Sequence, residues 1–419
     1  MEKTKIMLMT DSNTRTGFGG VSHNIAIGLA ENNFDVSWLG WGFHADGPMP
    51  RANYILLPSG QAPFGEDILP YYLQVIKPEV FMTQADTRMV MNIPQALKQV
   101  PNKPAWVFYV VIDGSTWDYK GENKKWPTNW LNCIKQADKV VTMTKFGQDI
   151  LQANGVESQV IYHGVETSRY TPISEENKRK LKASSGLQED LFIFGGVFKN
   201  MARKCPEKYL QAFKIFYESL NEAQQSKVAL LLHTNPGPGP SGEFDLVEQC
   251  VDYGLTPGKN VIFSMQNVPP DLMQLVYQSM DVYLHLGTME GFGLPIIEAM
   301  SCGIPSIGIN SCTMPELIGD CGILSEVPRY NKTHKISFGS YNGVECDIVD
   351  PWDIAKKMQK LYESEALRKE LGFKSTERAV KTFDWSIIRK QWVDLMKSLV
   401  ITEDKIPEEW QKLYAETKV

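Results

Sequence analysis

Strand-length apolar runs alternate with helical patterns along this chain, and the alternation starts twice, which restricts the fold to α/β architectures built on parallel sheets. In the first series the apolar run 5–10 is stopped by Asp11. A Gly-rich loop follows (Gly17, Phe18, Gly19, Gly20), then Val21, Ile25 and Leu29 at four-residue spacing: strand, glycine turn, amphipathic helix. Further strand-length runs lie at 34–39, 54–57, 80–83, 106–112 and 139–143, several separated by helical patterns such as 146–153. A polar, Lys/Glu/Ser-rich stretch over 173–190 interrupts the pattern, which restarts at 191–197. Strands are then expected at 228–232, 260–263, 282–286 and 304–307, with helices near 244–251, 270–279 and 295–301. A chain of 419 residues exceeds the size at which one core keeps growing, so the break is read as a domain boundary. Two doubly wound domains are predicted, over 1–187 and 188–394, facing one another. The tail 353–418 reads as mostly helical, with Trp385, Ile388, Trp392, Leu395 and Met396 on a face that packs across the junction, and a helix of about 395–419 that returns to the first domain. In open α/β sheets the ligand sits beyond the carboxyl ends of the strands, so the cleft between the domains is the expected site.

Within the second series, Glu290-Gly291-Phe292-Gly293-Leu294-Pro295-Ile296-Ile297-Glu298 follows a strand, passes through a two-glycine turn and opens a helix. Proline is preorganised for a helix start, and glycines let a ligand approach the backbone. The free amides at such a helix start form an anion site. Two carboxylates repel phosphate and require hydroxyl-bearing or cationic partners, such as a sugar on one side and a ribose on the other. Taken singly, Glu298 also reads as an acid favoured in a first helical turn and Glu290 as a solvated loop residue; the complete turn with both at this spacing points to a site.

At these residues the sequence resembles glycosyltransferase family 4, whose signature is two glutamates separated by seven residues around a Phe-Gly-Leu-Pro core. Other features of that family follow in order: the N-terminal glycine loop, Tyr162-His163-Gly164-Val165, Arg203-Lys204 after the second domain's first strand, and the Trp385 tail. The resemblance implies a GT-B fold of two Rossmann-like domains and retaining transfer of a hexose from a nucleotide donor, UDP- or GDP-hexose. It implies that Glu298 accepts hydrogen bonds from the donor ribose and Glu290 contacts the transferred sugar. The amides of Gly291, Phe292, Gly293 and Leu294 hold sugar hydroxyls and diphosphate, and Gly19 and Gly20 approach the donor from the first domain. Asn267 and Val268 lie where the base is read through main chain. Arg203 and Lys204 face the diphosphate, where a fixed cation pair stabilises the charge that builds on the leaving group. No Asp-x-Asp pair occurs, so no metal and no other cofactor is expected.

The sequence departs from that pattern in the first half. Where many relatives carry a histidine at a strand end, this chain has Asp113 followed by Gly114; an ionised acid accepts a hydrogen bond but cannot donate one, and Asp-Gly is also a turn former. Beyond it, aromatic and basic residues interleave over 117–130. Trp117, Tyr119 and Trp126 are candidates for stacking on a sugar acceptor or an exposed nucleobase, and equally for a satellite aromatic cluster under a surface loop. His163 reads as structural, and the insertion 327–346, with a hairpin around 340–343, has no assigned role. The acceptor expected from the resemblance is a glycan or lipid-linked glycan. A modified nucleic-acid base is the alternative within the enzyme class, and a donor-binding regulatory subunit that has lost turnover through the Asp113 change is the alternative outside it.

Composition excludes other classes. With 43% hydrophobic and 22% charged residues the chain is neither disordered nor fibrous. Residues 1–187 carry 19 Lys+Arg against 18 Asp+Glu and the remainder 24 against 31, for a net charge of −6, which gives no overall field for a polyanion. Nucleic-acid or peripheral membrane contact therefore requires a local patch in the first half. The apolar start is too short for a signal peptide and no run reaches spanning length, so a cytoplasmic protein is expected. Seven scattered cysteines (133, 205, 250, 302, 312, 321, 346) without a CxxC pair read as reduced thiols.

Overall fold

The structure, a computed structural model, describes residues 3–117, 124–239, 242–264, 268–328, 344 and 347–400. Tyr119, Asn267, the hairpin around 340–343 and any helix beyond residue 400 lie outside the described residues, and Trp117 is described through its backbone. The chain forms two compact units. The first comprises the residues up to Val111, Thr128–Val141 and those from Ser386; the second comprises Ile112–Pro127 and Thr142–Trp385.

The strands of the first half are β1 (Thr4–Asp11), β2 (Phe34–Trp41), β3 (Met49–Pro50), β4 (Ile55–Pro58), β5 (Val80–Ala85), β6 (Ala105–Val110), β7 (Thr116–Trp117), β8 (Lys124–Lys125), β9 (Lys139–Thr142) and β10 (Gln159–Val160). The first sheet has the order β10-β9-β6-β5-β1-β2-β4-β3, and β7 pairs with β8 as a separate two-stranded ribbon. Strand β1 is central and parallel to both β2 and β5. A central parallel strand is covered on both faces, which is why Ile6, Met7, Leu8 and Met9 are all buried. The chain leaves β1 for one side of the sheet and returns to β5 on the other, so the strand order reverses between them. At that point the Thr10 hydroxyl donates to the Gln84 carbonyl (3.1 Å) and the Ser22 hydroxyl to Gln84 Oε1 (2.6 Å).

The expected glycine loop is corrected here. Residues 17–20 are already the first turn of the helix Gly17–Glu31, and the connection is the shorter segment 12–16. Thr16 caps the helix, its hydroxyl accepting from the Gly19 amide (3.1 Å) and donating to Asp11 Oδ2 (2.6 Å). Glycine is required at position 19 by close approach, because a Cβ there would lie 2.0 Å from the Asn13 carbonyl oxygen. The final helix, Trp385–Leu399, contributes Arg389, which donates to Asn24 Oδ1 (2.7 Å), and Trp392, whose ring meets Tyr109 edge-on at 4.8 Å. The proposed face of Trp385, Ile388, Trp392, Leu395 and Met396 is buried throughout.

In the second unit β11 (Phe192–Val197), β12 (Val228–His233), β13 (Val261–Ser264), β14 (Val282–His285), β15 (Ser306–Ile309) and β16 (Gly322–Ser325) form a parallel sheet in the order β13-β12-β11-β14-β15-β16. The order reverses between β11 and β14, which places the topological switch point at the loops that follow these two strands. One difference from the sequence reading lies in the polar stretch 173–190, which contains a helix, Glu175–Ser184. It lacks an apolar stripe because it is held by charge. The Ser174 cap and two first-turn glutamates suit its N-terminus, and buried Lys182 donates to Asp281 Oδ2 (2.8 Å) and to the Leu191 carbonyl (2.7 Å).

Gly19→Ala is expected to destabilise the first unit by about 1–3 kcal/mol through overpacking against backbone that cannot yield. Thermal unfolding of the variant would read this as a lowered Tm, and an unchanged Tm would show that the loop 12–16 moves freely.

Candidate active site

Two loops at the switch point of the second sheet assemble the site. After β11 the chain passes Asn200, fully buried with its Nδ2 donating to the carbonyls of Asn235 (3.0 Å) and Phe244 (2.7 Å). It then makes the turn Ala202–Lys204, and Cys205 at φ 51° reverses it into the helix Pro206–Glu218. After β14 the segment 286–293 leads to the helix Leu294–Ser301, entered through Gly293 at φ 117°, a left-handed conformation that favours glycine. Hydrogen bonds tie the second loop to the first and to the helix after it: the Thr288 amide donates to the Arg203 carbonyl (3.0 Å), Arg203 Nη1 to the Met289 carbonyl (2.7 Å), and the Leu286 amide to the Tyr209 hydroxyl (2.9 Å).

Glu290 lies at the centre of this junction and is only 5% exposed. Lys204 Nζ pairs with its Oε1, Arg203 Nη1 with its Oε2 at 3.4 Å, and His285 Nε2 lies 3.1 Å from Oε1. The carboxylate sits over Gly287, where a Cβ would be 2.5 Å from Oε1. Burial alone raises the Glu290 carboxyl, but Lys204, the His285 hydrogen bond and Arg203 outweigh it and hold the group well below the usual carboxylate range. Lys204 is pushed down to about 8 by burial and by the adjacent Arg203 charge, against the upward pull of Glu290 and Asp113. The site is thus a fixed anion carrying two cations, one of which, Lys204, is brought down to about 8.

Of the residues singled out from the sequence, Glu290, Arg203 and Lys204 are in direct contact and Asp113 is close enough for its charge to act on Lys204. Cys312, at φ 49°, bridges toward Asp113: its thiol donates to the Thr288 carbonyl (3.1 Å) and lies 3.7 Å from the Asp113 carbonyl. Glu298 stands on the helix Leu294–Ser301 and accepts from the Tyr277 hydroxyl at 2.5 Å, with Tyr170 as a second donor; burial raises its carboxyl despite both bonds. The solvated-loop reading of Glu290 is overturned by its burial. Phe292 is 3% exposed, its ring packed among His163 (4.7 Å), Phe383 (6.0 Å) and Tyr162 (6.2 Å), and its carbonyl accepts from Thr313 (2.8 Å). It therefore offers a ligand backbone and not a ring. Buried His163 is pushed down to about 3 and is neutral within that cluster. Val268 is half-buried. Gly19 and Gly20 stand at the helix start at the first unit's own switch point. Trp126 corrects its assignment as an acceptor platform: at 5% exposure its ring is taken up by packing. Among the described residues no group of three or more His, Cys, Asp or Glu is placed to hold a metal ion.

Sequence reasoning did not single out His285, Tyr277, Tyr170 or Cys312. His285 was absorbed into the apolar run 282–286, although a histidine at a strand's end just before a glycine turn is a usable signal. The tyrosines meet Glu298 from separate segments, and no local pattern announces that meeting.

Strand orders and solved neighbours together define a GT-B fold of two Rossmann-like parallel-sheet units. Sucrose-phosphate synthase from Thermosynechococcus elongatus superposes with a TM-score of 0.73 at 17% identity over 95% of this chain and 99% of that chain. Anabaena HepE in complex with UDP-glucose gives 0.67 at 17% identity over 94% and 99%. Residues 177–378, which hold Arg203, Lys204, Glu290 and Glu298, match the family model of glycosyl transferases group 1. Escherichia coli O-antigen chain mannosyltransferase B is 31% identical over 121 residues, 29% of this chain and 30% of that protein. D-inositol 3-phosphate glycosyltransferase of Corynebacterium kroppenstedtii is 21% identical over 272 residues, 64% of this chain and 54% of that protein. The chain thus spans about half or less of the length of these two relatives.

Glu290→Gln removes the charge that raises Lys204, so Lys204 should titrate below its wild-type value of about 8. NMR of 13C-dimethylated lysines across pH would record the shift, and an unchanged titration would contradict the pairing.

Proposed function

We propose that the protein is a metal-independent, retaining glycosyltransferase of family 4 type that transfers a hexose from a nucleotide diphosphate donor, UDP- or GDP-hexose, to a hydroxyl of a glycan or lipid-linked glycan. The observation that carries this reading is the Arg203/Lys204 pair fixed on buried Glu290 at a β/α switch point. Departure of a nucleoside diphosphate builds negative charge, and preorganised cations stabilise it with little reorganisation. Half-exposed Arg203 and the less exposed Lys204 supply that charge. Glu290 accepts hydroxyls of the transferred sugar, Glu298 accepts from the donor ribose, and the amides of residues 291–294 face the sugar and diphosphate. Asn267 and Val268 read the base.

In the transfer, the bond from the anomeric carbon to the diphosphate oxygen breaks as the acceptor oxygen bonds to the same face. The acceptor proton passes to the departing diphosphate oxygen. The resemblance of the 177–378 segment to group 1 glycosyltransferases and the UDP-glucose held by the HepE neighbour support a nucleotide sugar as donor. The E. coli mannosyltransferase relative supports a glycan acceptor. A panel of UDP-, GDP- and ADP-hexoses, scored by mass spectrometry for release of nucleoside diphosphate with and without acceptor, tests the reading; tight donor binding with no breakdown would replace it by a regulatory, donor-binding role.

Arg203→Ala should lower kcat about 10²–10³-fold with folding intact, and full turnover would remove the residue from the mechanism. The pH dependence follows from Lys204, which is cationic below about 8 and neutral above it. Consequently kcat/KM should fall as pH rises through about 8, since that ratio reports the free enzyme. In Lys204→Arg the alkaline limb should disappear; persistence of the limb would assign it to another group.

A further inference from the structure

Among the described residues Glu290 has three side-chain partners, of two kinds. Arg203 and Lys204 approach from the other loop, and both are the cations that a diphosphate would claim. His285 stands at the end of β14, five residues before Glu290 in the same β-to-helix connection, and its side chain is only 3% exposed. Its Nε2 lies 3.1 Å from Glu290 Oε1, and its Nδ1 lies 3.3 Å from the hydroxyl of Tyr283, which reaches the Val197 carbonyl on β11 at 3.5 Å. With Nε2 protonated, Nδ1 takes the one proton of the Tyr283 hydroxyl, so the ring is anchored to a fully buried residue of its own strand, against the Val197 carbonyl of the adjacent strand.

We propose that His285 is a positioning residue that keeps Glu290 oriented toward the sugar when Arg203 and Lys204 divide their charge between Glu290 and the donor diphosphate. A buried carboxylate whose cationic partners are shared with a second anion is freer to protonate or to swing out of place. An Nε2–H donated to Oε1 prevents both and leaves Oε2 to accept a sugar hydroxyl. Gly287 gives the carboxylate the space this orientation needs. The inference rests on the proposed function, because it assigns a task to Glu290 during donor turnover.

The test compares wild type, His285→Leu and His285→Gln in steady-state hydrolysis of the donor found active in the panel, alongside binding of the free nucleoside diphosphate and thermal unfolding. Leucine removes the donor to Oε1, whereas glutamine can present an amide N–H to it. The expected result is a roughly 10–100-fold loss of kcat in His285→Leu, as for loss of a group that orients a catalytic one, with nucleoside diphosphate affinity changed less than about threefold and most of the kcat recovered in His285→Gln. Wild-type kcat in His285→Leu overturns the proposal. So does a loss that affects diphosphate binding equally, or that glutamine fails to restore in a folded protein, since either marks a merely structural role. If His285→Leu does not fold, His285→Gln decides alone: retained kcat supports the proposal and a deep loss overturns it. A wild type that breaks down no nucleotide sugar overturns the underlying reading and this proposal together, an outcome separable from the others because it appears before any variant is compared.

Discussion

Glu290 is a carboxylate taken out of water, and much of the second unit is arranged around the need to keep it there. A buried anion without partners costs several kcal/mol, more than most single contacts return. Here the compensation comes from two directions: cations carried on the turn after β11 and an imidazole at the end of β14. Neither loop alone could hold the charge. The main-chain bonds of Thr288 and Arg203, together with Arg203 Nη1 on the Met289 carbonyl, join the loops into one structure, so that forming the ion cluster and closing the switch point are the same event.

That arrangement also suits the chemistry proposed for it. Guanidinium and ammonium groups free in solvent would be strongly hydrated and would need reorganisation to meet a developing charge. Held against Glu290, Lys204 has lost most of its water at 13% side-chain exposure, while Arg203 keeps part of it at 36%. The cost appears in Lys204, whose proton affinity falls to about 8 because burial and Arg203 together exceed the support of Glu290. The second acid, Glu298, is kept differently, by tyrosine hydroxyls and without a cation, and burial moves its carboxyl in the opposite direction. Two carboxylates separated by seven residues therefore occupy unlike environments.

Much of the fold was legible in the sequence because parallel strands covered on both faces must be continuous apolar runs, and such runs are visible in the residues themselves. The run 191–197 announced β11 and 282–286 announced β14. The helix Glu175–Ser184 was not legible, since its stability comes from a cap and from Lys182 on Asp281 and not from an apolar stripe. The glycine loop is displaced for a related reason: glycine signals turn by propensity, but at Gly19 the controlling factor is the Asn13 carbonyl of the preceding connection, 2.0 Å from where a Cβ would stand.

By itself the sequence determined two α/β series, a strand-turn-helix carrying Glu290 and Glu298, and a basic pair after β11, because each of these is a local pattern of residue types at fixed spacing. Only the tertiary structure decided that Glu290 is buried, that Arg203, Lys204 and His285 converge on it, that Tyr170 and Tyr277 hold Glu298, and that Trp126 is packed away. Those facts depend on which strands become neighbours. Strand order in a doubly wound sheet is set by how crossovers pack over the whole unit, so segments more than 80 residues apart, such as Arg203 and Glu290, meet for reasons no local stretch of sequence contains.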